Sequence, residues 1–180
     1  MTDLIPLFLP SPPISSFAIG PVTIHIYALC LLAGIFFAAW LSARRYLARG
    51  GRREQFDNII FVAVIAGIIG GRLYHVISDY ELYFLPGRNP WDALAIWNGG
   101  LGIWGAVGVG ALAVWLMCRH YGIDFPSTAD VIAPGLLFAQ GIGRLGNWFN
   151  QELFGRPTSL PLGLQIDPAH RPAGYGSAPQ

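Results

Sequence analysis

The residues best placed to do chemistry form a short polar cluster around Arg144. An apolar run from Val131 to Gly143 ends at this arginine, and Asn147 and Asn150 follow at intervals of three. An ionisable residue inside an apolar segment costs about 2.5 to 3.5 kcal/mol on insertion scales, so it is a functional candidate by default. A guanidinium binds phosphate oxygens through two parallel hydrogen bonds. The cluster therefore predicts a phosphate site, and at this depth the natural phosphate is a phospholipid headgroup.

Further polar side chains lie near the ends of other apolar segments. They are His25, Tyr27, Arg72, Tyr74, His75 and Asn98, with Gln140 on the same segment as Arg144. Snorkelling to the headgroup layer is the favoured explanation for His25, Arg72, Tyr74 and His75. Arg72 is kept as the second candidate for a headgroup contact.

The elements that must position these residues are membrane-spanning helices. Of the 180 residues, 53% are hydrophobic and only 12% are charged, which is improbable for a soluble domain. Spanning the hydrocarbon core takes about 20 apolar residues. Four segments qualify, at roughly Val22–Ala43, Phe56–Ile77, Ala95–Met117 and Val131–Phe149. The predicted fold class is all-α, a polytopic helical membrane protein.

The charge pattern sets the orientation. Five arginines crowd the loop between the first two segments, namely Arg44, Arg45, Arg49, Arg52 and Arg53. The positive-inside rule places this loop in the cytoplasm and the N-terminus outside. The polar residues then share the external side, which predicts one cavity open to the external leaflet. We expect an external interfacial lead-in at 1–21, a four-span bundle at 22–150 and an external tail at 151–180.

Two function classes are excluded by composition. A net charge of +1, with the arginines in one block, offers no basic face for nucleic acid. Cys30 and Cys118 lie in apolar runs, and two cysteines cannot build a metal knuckle or a disulfide framework.

Glycines and the tail give two further expectations. Gly67 and Gly71 lie four residues apart, and Gly102, Gly105 and Gly108 lie three apart, which is typical of closely packed membrane helices. The Pro- and Gly-rich stretch Pro157–Gln180 is expected to be loosely packed. The alternative is a short strand around Leu162–Ile166 that docks against the external loop between the second and third spans.

The stretch GIGRLGNWFNQELFGRP, Gly141–Pro157, resembles the signature of the prolipoprotein diacylglyceryl transferase family, G-R-x-G-N-x-x-N-x-E-x-x-G-R. Similar but shorter matches are IHIYALCLLAG, GGRLYHV and NGGLGIWGA in the first three spans. The resemblance implies transfer of the diacylglyceryl group of phosphatidylglycerol to the lipobox cysteine thiol of a prelipoprotein, the first step of bacterial lipoprotein maturation. It also implies a multi-pass protein of the bacterial cell membrane, with no metal and no cofactor.

The resemblance also implies roles for individual residues. Arg144 binds the phosphate, Asn147, Asn150 and Glu152 order the headgroup and its loop, and Gly155 permits a close backbone approach. Tyr27 matches a functional tyrosine of the first span, and the catalytic set is Arg144, Tyr27 and Glu152. Arg72 joins the headgroup-binding set.

Two departures from the family pattern leave alternatives open. The family's G-G-x-S-F-H-G segment carries a histidine where this chain has Trp104. Either no histidine base is required, or His75, Tyr27 or Glu152 serves as the proton acceptor. The family also continues past the external segment, so the resemblance implies that the C-terminal part is missing here.

Two rival functions fit the sequence less well. A rhomboid-type protease needs a serine flanked by glycine on one span and a histidine on another, and neither Ser42 nor Ser78 has that setting. A non-enzymatic binding or transport subunit needs a polar path across the whole membrane. Polar residues are sparse in the inner halves of the spans, which counts against it.

Overall fold

The computed structural model describes residues 8–20, 22–158, 162–172 and 174. The chain divides into two compact units, which are considered one at a time. The first unit comprises Met1–Ala38 and Pro134–Gln180, and the second comprises Ala39–Ala133.

Helices dominate the described residues, which confirms the predicted fold class. The long helices are α1 Ile26–Ala48, α2 Arg53–Ser78, α4 Ile103–Tyr121 and α5 Phe125–Asn150, with a short α3 at Glu81–Phe84. Three single-turn 3₁₀ helices lie at Pro90–Leu94, Ile96–Asn98 and Pro168–His170. The strands are β1 Leu9–Pro10, β2 Ser16–Ile19, β3 Val22–His25 and β4 Leu164–Gln165.

Three helices in the described part of the chain are long and apolar enough to cross a bilayer: α1, α2 and α4. The fourth predicted span, roughly Val131–Phe149, is helical throughout as part of α5. Helix α5 is as long as α2, but Asp130, Gln140 and Arg144 interrupt its apolar residues. Its crossing of the membrane therefore stays a prediction.

The first span begins later than predicted, at Ile26 instead of Val22. Residues 22–25 form strand β3, which pairs antiparallel with β2 in the register Ser16↔His25 to Ile19↔Val22. Gly20 lies in the turn with φ +59°, a conformation that favours glycine. The Ile26 N–H donates to the Ser15 carbonyl over 2.9 Å, so the hairpin leads directly into the helix.

The predicted start of the third span, Ala95, is also wrong. Residues 90–98 form two 3₁₀ turns, and α4 begins only at Ile103. Gly99 and Gly100 have φ values of +83° and +79°. A right-handed helix cannot continue through residues with these angles, so α4 cannot begin before them. The apolar residues before Ile103 thus belong to the connection that precedes the helix.

The arginine-loop end of the second unit contains the unit's hydrophobic cores. One core comprises Ala43, Tyr46, Phe56 and Val131, and the other comprises Ile59, Val114 and Cys118. Cys118 is 1% exposed, as expected for a small buried hydrophobic residue. Helix α5 begins beside these cores, and Asp124 caps it by accepting the Ser127 N–H at 2.9 Å. Hydrogen bonds from Ser127, first from its side chain and then from its backbone, hold the pKa of the Asp124 carboxyl below its usual range.

Helices α2 and α4 pack with their backbones in close contact. A Cβ added at Gly71 would lie 3.3 Å from the Gly102 carbonyl oxygen, and one added at Gly105 would overlap the Gly70 carbonyl group. The packing role predicted for Gly67, Gly71, Gly102 and Gly105 is confirmed. For Gly108 it is not confirmed, because no atom of the described residues lies within 4 Å of the position of its missing Cβ.

This difference gives a paired prediction for helix packing. Gly105→Ala should lower the stability of the detergent-solubilised chain by about 1–3 kcal/mol, because the added methyl group overpacks the α2–α4 contact. Gly108→Ala adds the same methyl group to the same helix and should leave the thermal midpoint unchanged or slightly higher. Equal effects of the two substitutions on thermal unfolding would contradict the packing account.

Candidate functional site

The first unit brings the start of α1 against the end of α5. A Cβ on Gly146 would lie 2.7 Å from the Tyr27 ring and 3.1 Å from the Tyr27 Cα atom. A second close approach occurs further along the same helices, where a Cβ on Gly34 would lie 3.0 Å from the Ala139 carbonyl oxygen. Glycine at these two positions therefore lets the helices meet, and it places the half-buried Tyr27 beside the Arg144–Asn150 segment.

Helix α5 ends in a Schellman motif. The Glu152 N–H donates to the Asn147 carbonyl at 3.1 Å and the Gln151 N–H donates to the Trp148 carbonyl at 3.3 Å. The motif needs a left-handed residue, and Gln151 occupies that position with φ +52°. Glycine is usual there, because a side chain in this conformation costs about 1–2 kcal/mol. A glutamine at this position therefore needs a compensating interaction.

Asp167 supplies that interaction. The Gln151 side-chain amide donates to Asp167 Oδ2 at 2.7 Å and accepts the Asp167 backbone N–H at 2.7 Å. Gln151 is only 6% exposed, so both bonds are shielded from water. They fasten the tail to the end of α5.

The described part of the tail is further ordered by the lead-in. Strand β4 pairs parallel with β1, with Leu9 opposite Leu164 and Pro10 opposite Gln165. The Ser11 hydroxyl donates to the Gln165 carbonyl. The short strand allowed at Leu162–Ile166 is thus present, but it pairs with the lead-in and not with the external loop. Residues 159–161, 173 and 175–180 of the predicted loose tail lie outside the described residues.

The Schellman turn brings Glu152 back over the last turn of α5. Its Oε1 atom accepts from Asn150 Nδ2 at 3.1 Å and lies 3.5 Å from Asn147 Nδ2. Both hydrogen bonds use the same oxygen. Within the described part of the chain, Oε2 of Glu152 accepts no bond, so one carboxylate oxygen is free for a proton or a donor group.

Arg144 lies two turns before the end of α5, with its side chain exposed. Among the residues that the structure describes, its guanidinium has no hydrogen-bond or ion-pair partner. An open apolar groove of about 460 Å³ runs along the same helix, lined by Pro134, Leu137, Phe138, Gly141, Ile142 and Leu145. Arg144 is three residues from Gly141 and seven from Leu137, so it shares their helix face at one end of the groove. An unpaired cation next to an apolar groove can bind an amphiphile with an anionic headgroup.

Gly155 and Trp104 were also singled out by the sequence. No atom lies within 4 Å of the position of a Cβ on Gly155, so the described structure holds no close backbone approach there, and the role of this glycine stays a prediction. Trp104 is in the first turn of α4, in the other unit, and is 73% exposed.

Arg72 has a very different environment from Arg144. It is 7% exposed, and its guanidinium donates to the backbone carbonyls of Asp92, Ala93, Gly99 and Gly100. These partners all belong to the second unit. The hypothesis that all the polar residues meet in one cavity stays a prediction.

The roles of Gln151 and Asp167 were not predicted from the sequence. Gln151 was passed over as the unmatched position between Asn150 and Glu152. The sequence carries no spacing signal for this pair, because the two residues lie 16 positions apart.

The long apolar helices and the ordered polar segment at the end of α5 define a polytopic helical membrane protein with a candidate anion site. The model of the prolipoprotein diacylglyceryl transferase family matches residues 14–178. The chain belongs to this family.

Curated relatives agree with the family model. The chain is 65% identical over 174 residues to a phosphatidylglycerol–prolipoprotein diacylglyceryl transferase of Cutibacterium acnes, covering 97% of this chain and 59% of the relative. It is 58% identical over 159 residues to the enzyme of that name from Paenarthrobacter aurescens, covering 88% and 50%. A Streptomyces coelicolor relative of that name, numbered 2, is 51% identical over 167 residues, covering 93% and 53%. The chain therefore spans about half the length of the curated relatives it matches.

The Gln151–Asp167 contact gives a testable prediction. Gln151→Gly keeps the left-handed turn but removes two buried hydrogen bonds, so we expect a net loss of about 1 kcal/mol and faster amide exchange at residues 164–167. Leu153→Gly is the matched control, because Leu153 also has a positive φ, of +53°, but is 76% exposed. It should leave exchange in the tail unchanged. Equal exchange in the two variants would show that the glutamine does not fasten the tail.

Proposed function

We propose that this chain is the lipid-binding part of an enzyme that transfers the diacylglyceryl group of phosphatidylglycerol to the lipobox cysteine thiol of prelipoproteins. Family membership supports this function. The observation that carries it is the exposed Arg144 guanidinium, which has no partner among the described residues and lies at the end of the groove on α5. It is in the same unit as the Asn147–Asn150–Glu152 network.

The chemistry requires two tasks of the protein. The thiol sulfur forms a bond to the terminal glyceryl carbon of the lipid, and the bond from that carbon to the phosphate oxygen breaks. Glycerol phosphate leaves, and a thioether remains on the peptide. The protein must therefore accept the thiol proton and stabilise the charge that develops on the leaving phosphate.

The first unit has a residue for each task. Arg144 binds the phosphate through its planar fork and stabilises the leaving group. Asn147 and Asn150 hold Glu152 by one carboxylate oxygen, and the other oxygen takes the proton. Tyr27 donates a hydrogen bond to the substrate, and the groove accommodates an acyl chain.

The remaining candidates fit less well. His75 Nδ1 lies 3.0 Å from Asp79 Oδ2 in the second unit, and its ring packs edge-on against Tyr83. Arg72 is left out of the proposed headgroup site, because four backbone carbonyls already accept its hydrogen bonds. The transport alternative is not favoured, because apolar cores fill the arginine-loop end of the second unit.

The proposed setting is the bacterial cell membrane, the inner membrane where there are two, with the N-terminus outside. The arginine block at the junction of α1 and α2 motivates this orientation, with Arg49 and Arg52 in the connection and the other three arginines in the adjoining helix ends. A reporter that is active only outside the cytoplasm should work when fused after Gly87 and fail when fused after Gly51. The reverse pattern would move the candidate site to the cytoplasmic face.

Transfer activity tests the function itself. In a chimera in which this chain replaces the matched part of the Cutibacterium acnes relative, Arg144→Ala should slow diacylglyceryl transfer to a lipobox peptide at least about a hundredfold. Arg144→Lys should recover little of it, because an ammonium cannot form the bidentate contact.

Arg88→Ala is the control, since it removes the same charge from an exposed loop residue. Transfer is measured as the mass increase of the peptide in phosphatidylglycerol vesicles. Near-normal transfer by the Arg144→Ala chimera would refute the assigned role.

A further inference from the structure

The buried guanidinium of Arg72 joins two separate stretches of backbone. Its Nε and Nη2 atoms donate to the carbonyls of Ala93 and Asp92 at 2.7 and 2.5 Å. Its Nη1 atom donates to the carbonyls of Gly99 and Gly100 at 2.6 and 3.0 Å. The two edges of the rigid guanidinium plane thus hold both ends of the segment Asp92–Gly100.

The surroundings of Arg72 complete this arrangement. Its guanidinium carbon lies 5.1 Å from the centre of the buried Tyr83 ring, a cation–π contact. In the described part of the chain no carboxylate pairs with Arg72, so carbonyl dipoles and the ring replace its hydration. A Cβ on Gly100 would lie 2.9 Å from Nη1 and would overlap the His75 ring. Only glycine at position 100 lets its carbonyl group come this close.

The held segment leads directly into α4. The Gly102 N–H donates to the Gly71 carbonyl at 2.8 Å, one residue before Arg72, and α4 begins at Ile103. The position of residues 99–105 is therefore set from α2 through two adjacent residues, Gly71 by its carbonyl and Arg72 by its side chain. These residues form the segment that resembles the family's histidine motif.

We infer that Arg72 is a positioning residue for the transfer reaction, which fixes the segment from Asp92 to Gly102 and the start of α4 and does not bind a lipid headgroup. The inference rests on the proposed function for its link to catalysis. Its structural part is independent of activity. Lysine cannot replace the arginine, because one ammonium cannot reach carbonyls on both sides of the segment.

Amide hydrogen exchange on this chain in phosphatidylcholine nanodiscs tests the structural part. The amides of Ala95, Asn98, Gly99 and Gly102 donate to backbone carbonyls within or next to the held segment. Arg72→Gln should make them exchange at least tenfold faster, and Arg72→Lys should restore little protection. Arg88→Gln, at an exposed position shortly before the held segment, should leave the exchange of these amides unchanged. If Arg72→Gln fails to fold, the exchange rates of Arg72→Lys are compared with those of Arg88→Gln instead. Wild-type protection in the Arg72 variant would overturn the inference.

Kinetics of the chimera test the link to catalysis. A positioning role predicts that Arg72→Lys lowers kcat at least tenfold with an unchanged KM for phosphatidylglycerol. A raised KM with an unchanged kcat would overturn the inference in favour of a headgroup contact. If the chimera with the wild-type sequence transfers nothing, the proposed function fails, and the exchange experiment alone decides the role of Arg72.

Discussion

Close contact between helix backbones is the constraint on which the rest of this structure depends. Inside a bilayer the hydrophobic effect does not drive helices together, so they associate through packing and hydrogen bonds at small residues. In the first unit, Gly34 and Gly146 bring α1 against α5. In the second unit, Gly70 and Gly105 bring α2 against α4. These contacts fix the positions of the neighbouring segments, namely the polar end of α5 in the first unit and the start of α4 in the second.

Two arginines with similar sequence contexts have opposite environments in the structure. Arg72 and Arg144 each lie in the C-terminal part of a helix, and each directly follows a glycine. Arg72 donates to four carbonyls and is 7% exposed, whereas the exposed Arg144 has no partner among the described residues. Arg72 stabilises the backbone around it, whereas Arg144 is available to bind an anion. A guanidinium whose donors are already satisfied has little left to offer a phosphate.

The hydrophobic pattern predicted the helices but not their ends. Apolar length alone identified α1, α2 and α4 correctly, because burial in hydrocarbon is a property of local composition. The starts at Val22 and Ala95 were wrong, because strand pairing with Ser16–Ile19 and the positive φ angles of Gly99 and Gly100 depend on partners and geometry that hydropathy does not contain. The motif around Arg144 predicts the candidate site, and the roles of its residues stay a prediction. The two hydrogen bonds between Gln151 and Asp167 join residues 16 positions apart and could not be predicted from spacing.

In the proposed function Arg144, and not Arg72, binds an anionic lipid. Native mass spectrometry of this chain, released from detergent micelles that contain equal amounts of phosphatidylglycerol and phosphatidylcholine, tests it directly. The account predicts a preference for phosphatidylglycerol of about tenfold, equivalent to about 1.4 kcal/mol, which Arg144→Gln abolishes and Arg72→Gln leaves intact. Retention of the preference in Arg144→Gln together with its loss in Arg72→Gln would contradict the account.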